Sequence, residues 1–346
     1  MRVLTLLQAP TDWDRFVDQQ SAASLYHHPA WAALACEVFD LQAWYLEARN
    51  DAGELTGVLP LVRQRLPLLG SYLTSLPYFN YGGALAVDQP TRAALMAAAR
   101  DLAQREHCRY LELRDTQPAP DGWVTRTDKI TMVLDLPGNA QLLAKQLGAK
   151  LRSQTRRAER EGATAHIGDV SLVDEFYDVF CRNMHALGTP VYPKRFFTAL
   201  LQRFAHCTAL VVIRQGSRPM AAGLLVFDGL TAEIPWAACR EDAKPLGFNM
   251  TLYLQALQLS IARGCTRFDF GRTTPGSGTW RFKLQWGAQP VQLHWHRWHR
   301  DAHAEAPAAP APGAGRMRQL VSRTWTALPL PVANLLGPHI SPVLPW

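Results

Sequence analysis

The sequence predicts an α+β fold built from two copies of one unit, because two series of segments recur in the same order. Residues 43–61 have the pattern of a strand, a tight turn and a second strand, and residues 209–227 repeat that order 166 positions later. Residues 95–114 have the pattern of a helix followed by a strand, and residues 253–272 repeat it 158 positions later. An ordered series is harder to imitate by coincidence than one apolar segment, so internal duplication is favoured.

The amino-acid composition limits the class of protein to which the chain can belong. The 346 residues are 48% hydrophobic and 19% charged, which is typical of globular domains and excludes disordered, collagen-like and coiled-coil chains. The length suits two domains with their own cores. No apolar run approaches the roughly 20 residues that span a bilayer, and Pro10 and Asp12 interrupt the apolar start too early for a secretory signal. We therefore expect a cytoplasmic protein, with peripheral attachment to the inner membrane as a further hypothesis.

The first elements of each copy are hairpins. Residues 43–49 and 56–61 are strand-like and flank an Asn-Asp-Ala-Gly turn, while residues 209–214 and 222–227 flank a Gln-Gly-Ser turn. The helices that follow are predicted from apolar positions at helical spacing, such as Leu254, Leu257 and Ile261. Each helix leads into a second strand, at residues 109–114 and 267–272.

A strand and a long helix are predicted between the copies. The strand-like residues 130–136 end at a Pro-Gly pair, and a helix is predicted from residue 139 to residue 161 with Asn139 as its N-cap. Arg152, Arg156 and Arg160 are spaced four apart and so project from nearly one face. Two interpretations stay open: a contact with phosphate groups or a polyanion, or a solvated face that Glu159 and Glu161 partly neutralise.

These elements predict four regions. An N-terminal domain covers residues 1–129, and a C-terminal domain with the active site covers residues 130–300. An Ala/Pro linker covers residues 301–315, and an amphipathic tail with three arginines covers residues 316–346. The tail is expected either to dock on protein or to lie on a membrane surface.

The cysteines and histidines do not indicate a metal site. The six cysteines are scattered singly without a Cys-x-x-Cys pair, so reduced, buried thiols are expected. The histidines between residues 294 and 303 alternate along a strand without a carboxylate framework, so no metal ligand is predicted. The formal net charge of +7 favours an anionic partner but does not choose one.

The densest group of polar and glycine signals lies at residues 268–287. A buried-looking strand ends at Gly271 and Arg272, and glycines at 271, 276 and 278 allow the backbone either to approach a ligand closely or simply to turn. Lys283 and Trp286 follow three positions apart on a short aromatic element. The corresponding first-copy strand has neither feature, so only the second copy is expected to hold a reacting centre.

Several of these motifs together resemble the FemAB family. They are Gly-Arg at residues 271–272, Gly-Ser-Gly-Thr at 276–279, Phe-Lys-Leu-Gln-Trp-Gly at 282–287, the basic helix at 152–160 and Leu-Gly-Thr-Pro-Val-Tyr at 187–192. The pattern is most similar to FemAB relatives associated with exosortase (PEP-CTERM) systems, and it covers roughly the first 300 residues. The resemblance implies two tandem GNAT-like domains that transfer an acyl or aminoacyl group to an amine.

Such a transfer needs an oxyanion stabiliser, a proton acceptor and groups that hold the donor. Asp269 is the candidate proton acceptor, whereas Arg272 and Lys283 are candidate clamps for phosphate or carboxylate groups. Arg272 paired with an internal carboxylate, or a merely exposed Lys283, are the structural alternatives. Candidate substrate-binding residues are Arg152, Arg156, Thr189, Tyr192, Asn249, Gly271, Gly276, Gly278, Phe282 and Trp286.

The sequence does not decide the acyl donor or the acceptor. The turn at residues 244–250 has one glycine where GNAT enzymes that use coenzyme A have a glycine-rich phosphate loop, and Asn249 could instead cap the next helix. No cofactor is required; the acyl donor is an acyl-CoA or an aminoacyl-tRNA. The expected acceptor is a sugar-, peptide- or lipid-linked amine. The alternative function is a non-catalytic binding protein for tRNA or an anionic polymer.

Overall fold

A computed structural model describes residues 1–66, 70–120, 122–300 and 322–343. The described residues divide into two compact units. The first unit contains residues 1–129, 292–300 and 342–343, and the second contains residues 130–291 and 322–341. The linker predicted at residues 301–315 and the start of the tail lie outside the described residues.

The first unit is built on one sheet with the order β1-β2-β3-β4-β6-β15-β7, and β5 pairs with β3. Its pairs are antiparallel except for β4 with β6, which are parallel. Its strands are β1 (Arg2–Leu6), β2 (Gln42–Arg49), β3 (Leu55–Leu66), β4 (Gly70–Thr74), β5 (Leu85–Ala86), β6 (Tyr110–Asp115), β7 (Val124–Arg126) and β15 (His294–His299). Its helices are α1 (Trp13–Gln19), α2 (Pro29–Phe39) and α3 (Gln89–Arg105).

The second unit has a sheet with the order β14-β8-β13-β12-β11-β10-β9. β12 and β13 are parallel, whereas β11, β10 and β9 follow in antiparallel order and β8 is antiparallel to β13. Its strands are β8 (Ile130–Asp135), β9 (Ala163–Gly168), β10 (Thr208–Gln215), β11 (Arg218–Asp228), β12 (Thr231–Cys239), β13 (Arg267–Thr273) and β14 (Gln289–Gln292). Its helices are α4 (Ala140–Gln146), α5 (Ala149–Arg160), α6 (Val173–Ala186), α7 (Lys194–Arg203), α8 (Phe248–Ala262), α9 (Gly278–Gln285) and α10 (Leu330–Ile340).

The predicted duplication corresponds to matching elements. The hairpin β2–β3 in the first sheet corresponds to β10–β11 in the second, and α3 leads into β6 as α8 leads into β13. Each sheet also places its helix-delivered strand parallel to an earlier strand, β6 to β4 and β13 to β12. An α+β fold of two similar units is therefore confirmed.

Two local expectations were wrong. The helix predicted across residues 139–161 is two helices, because Leu147 adopts an extended conformation and Gly148 begins a new helix. The segment at residues 292–299, expected in the second domain, belongs to the first unit because β15 pairs with β6 and β7. Asn139 is the N-cap as predicted, since its side-chain oxygen accepts from the Leu142 amide at 2.9 Å.

Both units bury apolar cores between sheet and helices. In the first, side chains of β2, β3 and β6 pack on Leu95, Ala99 and Leu102 of α3. In the second, Phe268 and Phe270 of β13 pack with the apolar side of α8. All six cysteines are unpaired and five are buried.

No group of three metal-binding side chains occurs in the described ranges. His296, buried in β15, instead bonds to the Thr125 hydroxyl and the Gln117 carbonyl. None of the helices searched, which were those of the described residues, is both long and apolar enough to cross a membrane.

Candidate functional site

The second sheet opens at a fork between its two parallel strands. The register of β12 with β13 runs from Thr231 opposite Arg267 to Glu233 opposite Asp269. Beyond that pair, β12 continues against β11 as far as Cys239, and β13 continues against β8. The strands therefore part where two buried acids, Glu233 and Asp269, face each other.

A β-bulge follows on β13. The register with β8 shifts between Asp269 and Arg272, and Gly271 adopts a φ of +76°, which a residue with a side chain rarely adopts. The Asp269 carboxylate accepts hydrogen bonds from the Gly271 amide at 2.7 Å and from the Thr131 hydroxyl. The Gly271 amide is thus used inside the protein, so the close approach that the sequence suggested serves the bulge.

Lys283 reaches this bulge from α9. Its ammonium donates to the carbonyl oxygens of Gly271 at 2.7 Å and Arg272 at 3.0 Å, and the residue is only 6% exposed. Burial lowers the pKa of Lys283 to about 8, although Asp269 and Glu233 act in the opposite direction. Lys283 is therefore a buried cation beside two carboxylates rather than a surface clamp, and Arg272 beside it is half-buried.

The loop before α9 positions that helix. Ser277 is the N-cap and accepts from the Trp280 amide at 3.1 Å, while the Thr279 hydroxyl lies 2.8 Å from that of Thr273 at the end of β13. Gly276 and Gly278 are exposed, and a Cβ added at either would meet nothing within 4 Å. These glycines shape the turn and leave open space beside it.

The aromatic residues of α9 face the core. Phe282 packs on Tyr253 of α8 with ring centroids 4.9 Å apart, and Tyr253 stacks on Phe270 at 5.5 Å. Trp286 lies against the same rings and is 5% exposed, with its indole nitrogen buried and without a hydrogen-bond partner. Phe282 and Trp286 thus hold α9 against β13 and α8, which fixes the position of Lys283.

The other predicted substrate-binding residues lie on other elements. Arg152 and Arg156 are exposed on α5, and the Arg152 guanidinium donates to the Leu147 carbonyl. Thr189 and Tyr192 lie in the loop between α6 and α7. Tyr192 is buried; its carbonyl accepts from the Tyr177 hydroxyl at 2.9 Å and its ring packs on Phe196.

The turn before α8 packs tightly on α5. Gly247, at a φ of +88°, is the N-cap, so the expected cap Asn249 lies instead inside the helix. A Cβ on Gly247 would sit 2.3 Å from the Gln154 carbonyl oxygen of α5. The Asn249 backbone amide donates to the Cys239 sulfur. Which acyl donor this turn serves stays a prediction.

Three residues of the site escaped the sequence analysis. Glu233 is a single acid in an apolar strand, which is a usable signal because a buried carboxylate needs partners. Thr131 and Tyr253 have no comparable signal, since a threonine in a strand and a tyrosine in an apolar helix are ordinary. The structure brings together Asp269, Gly271, Arg272 and Lys283, and whether they act in catalysis stays a prediction.

Comparison with known proteins identifies the fold. Residues 146–284 match the family profile of an acetyltransferase (GNAT) domain. No match was found among curated protein sequences.

Solved structures extend the likeness to both units. FemX is 14% identical, with a TM-score of 0.63 over 92% of this chain and 100% of that one. The C-terminal domain of a putative lysylphosphatidylglycerol synthetase from Agrobacterium fabrum is 15% identical, with a TM-score of 0.55 over 90% and 94%. A tandem GNAT protein from the clavulanic acid pathway is 11% identical, with a TM-score of 0.55 over 86% and 98%. The chain therefore folds as two tandem GNAT-like domains.

Proposed function

We propose that the chain is a FemAB-like acyl- or aminoacyltransferase that forms an amide on an amine of an envelope or exopolysaccharide precursor. One observation carries the proposal: a buried lysine and two buried carboxylates meet where β12 and β13 part. Ionisable groups with shifted pKa values in such a place are typical of reacting centres. The GNAT domain match and the FemX-like fold support an acyltransferase.

The reaction is an aminolysis. The acceptor nitrogen attacks the carbonyl carbon of an activated ester or thioester, a C–N bond forms, and the C–O or C–S bond breaks. The proton that the amine loses ends on the leaving group. Two N–H groups of Lys283 hold the Gly271 and Arg272 carbonyls, and the positive charge can stabilise the oxyanion of the tetrahedral intermediate. We assign the receipt of the amine proton to Asp269 or Glu233, the carboxylates that lie opposite each other beside Lys283.

The packing at Gly247 favours an aminoacyl-tRNA over an acyl-CoA as donor. An acyl-CoA is held by its pyrophosphate in GNAT enzymes of that kind, whereas the turn before α8 is filled by the Gln154 carbonyl. The phosphates of a tRNA donor need not enter this turn. They can instead bind the exposed arginines of α5. The resemblance to exosortase-associated FemAB proteins favours an exopolysaccharide precursor as acceptor and a reaction in the cytoplasm.

The test is an acyl-transfer assay on the full chain. Bulk aminoacyl-tRNA with labelled amino acids, and separately labelled acetyl-CoA, are incubated with amine-bearing sugar and peptide acceptors, and amides are detected by mass spectrometry. We expect product from aminoacyl-tRNA with the wild type and product formation about 10²–10³-fold slower with Lys283→Met. Product from acetyl-CoA alone would overturn the donor assignment, and unchanged transfer by Lys283→Met would overturn the role of the lysine.

The second candidate is a non-catalytic protein that binds tRNA or an anionic polymer. The exposed arginines of α5 favour it, because this short helix carries five cations and one acid, and an anionic partner would offset the repulsion among the cations. Tight tRNA binding without any amide product, unaffected by Lys283→Met, would select this function.

A further inference from the structure

The last described helix presents an apolar face to solvent. On α10, Val332, Leu335 and Leu336 are 40%, 69% and 41% exposed, whereas Ala333 and Gly337 on the opposite side are buried. Exposed side chains of this size are ordinary when single, but three on one helix form a patch. We call these three residues the α10 face.

Specific contacts fix the position of α10 on the second unit. A Cβ on Gly337 would lie 2.9 Å from the Val191 nitrogen, so the helix backbone is in close contact with the loop before α7. Asn334 donates to the Cys181 thiol of α6 at 3.4 Å. The side that faces the protein is thus defined, and the α10 face is left outside.

The described part of the tail carries no acidic side chain. Residues 322–343 contain no aspartate or glutamate, and their basic side chains are Arg323 and His339. Arg323 and His339 are exposed, and Arg182 of α6 is 43% exposed. Apolar side chains on a segment that carries basic but no acidic residues are typical of segments that lie in the interface of an anionic membrane.

A cavity of about 400 Å³ opens at the N-terminal end of the helix. Its lining residues are Arg182, Asn183, His185, Arg240, Glu241, Asp242 and Leu330. The two acids are paired, Glu241 with Lys244 and Asp242 with Arg218 at 2.8 Å. Arg182 and Arg240 share Asp178, so the two arginines together carry more positive charge than that carboxylate neutralises.

We propose that the α10 face docks the protein on an anionic phospholipid surface. The helix has 11 residues, which is too short to span a bilayer, so it lies in the plane of the interface with its three large side chains towards the acyl chains. Arg323 and Arg182 are exposed arginines available to meet lipid phosphates, and Arg182 also lines the cavity at the N-terminal end of the helix. Docking would hold the chain where a lipid-linked acceptor resides.

Vesicle co-sedimentation of the full chain tests this docking. Phosphatidylcholine vesicles with phosphatidylglycerol are compared with vesicles of phosphatidylcholine alone, at low and high salt. The wild type is expected to bind the anionic vesicles and to be released by salt. The double variant Leu335→Glu and Leu336→Glu is expected to lose binding by about tenfold or more, since it places carboxylates in the interface.

The matched control puts the same charges on exposed apolar residues elsewhere in the second unit. Leu230 is 62% and Ile167 is 49% exposed, so Leu230→Glu with Ile167→Glu changes net charge and exposed area similarly. This control is expected to bind like the wild type, and all three proteins should melt alike. Equal loss in both double variants, or no binding by the wild type, would overturn the proposal. A concentration-dependent dimer that only the α10 variant abolishes would assign the face to a second copy.

Discussion

β6 of the first unit and β13 of the second hold the same place in their sheets, and each carries a buried acid opposite the neighbouring parallel strand. Glu112 on β6 lies opposite Thr74 of the parallel strand β4, as Asp269 on β13 lies opposite Glu233 of β12. Two residues after the acid, the first strand has Arg114 and the second has Gly271. The two positions therefore differ in the residue that follows the acid, and we expect a chemical role only in the second unit.

In the first unit the acid is held by two arginines. Arg114 bonds to Glu112 at 3.1 Å and Arg297 of β15 bonds to it at 2.7 Å. Burial alone would raise the pKa of Glu112, but the two guanidinium groups outweigh it and lower the pKa below its ordinary value. In the second unit the glycine makes a bulge, and the cation comes from α9 as Lys283. Its pKa is lowered, so the charge there is costly to hold, as expected of a reacting group.

The largest effects are expected from replacing the two buried cations, Lys283 and Arg114. Lys283→Met is expected to lower the single-turnover rate of transfer by about 10²–10³-fold, because it removes a fixed charge beside the reacting carbonyl. Arg114→Met is expected to lower the free energy of unfolding by about 3 kcal/mol through the unbalanced Glu112, with little change in rate per folded molecule. Denaturant unfolding checks stability. A stability loss in Lys283→Met without a rate loss would make the lysine purely structural.

The next largest effect is expected at the β-bulge of β13. Gly271 and Gly216 both have positive φ values, +76° and +59°, so alanine at either should lower the free energy of unfolding by about 1–2 kcal/mol. Only Gly271→Ala is expected to slow transfer, by about tenfold or more, since it moves the carbonyl that Lys283 binds. Parallel rate and melting measurements on both variants decide this. A similar slowing in Gly216→Ala, in the β10–β11 turn, would point to general softening.

The free energy of unfolding should depend on pH through Lys283 on the alkaline side and through Glu112 on the acid side. Between about pH 8 and 10, folded Lys283 has lost its proton while the unfolded lysine keeps it, so the unfolded state binds more protons and stability rises with pH. Lys283→Met should remove this rise. Transfer should fall above about pH 8 as the ammonium is lost; a rate that climbs instead would favour a neutral amine as base.

On the acid side, the lowered pKa of Glu112 gives stability that is present above its unfolded pKa and lost as pH falls through the folded pKa. Glu112→Gln should remove this acid dependence and leave the alkaline limb of Lys283 intact. Denaturant unfolding curves of Lys283→Met and Glu112→Gln across the pH range test both expectations.

The smallest effect concerns α5, the helix placed before β9. Arg152→Ala with Arg156→Ala is expected to weaken tRNA binding and to reduce the salt slope of log K by about one to two. Arg100→Ala with Arg105→Ala on α3 removes the same charge from the first unit and should change neither. An equal change in both pairs would mean that net charge alone acts.

Sequence reasoning predicted the duplicated order of elements because hairpin turns and helical spacing are local signals. It placed Asp269, Gly271, Arg272 and Lys283 in one region for the same reason, since they lie within fifteen residues. It did not predict that the Lys283 ammonium is buried, because a lysine on a short helix is ordinarily solvated and the carbonyls that it meets are turned inward by a bulge. Glu233 belongs to another strand, and only the sheet register brings it opposite Asp269.

The late position of β15 along the chain has a consequence for biosynthesis. β6 receives β15 as its neighbour, but roughly 170 residues separate β15 from β7, the preceding strand of that sheet. At a translation rate of about 5–20 residues per second, this edge of β6 would stay open for about 10–30 s on the ribosome. An open edge is a template for pairing with another nascent chain. Truncated forms that end before residue 294 should therefore aggregate, although they contain every residue of the first 129.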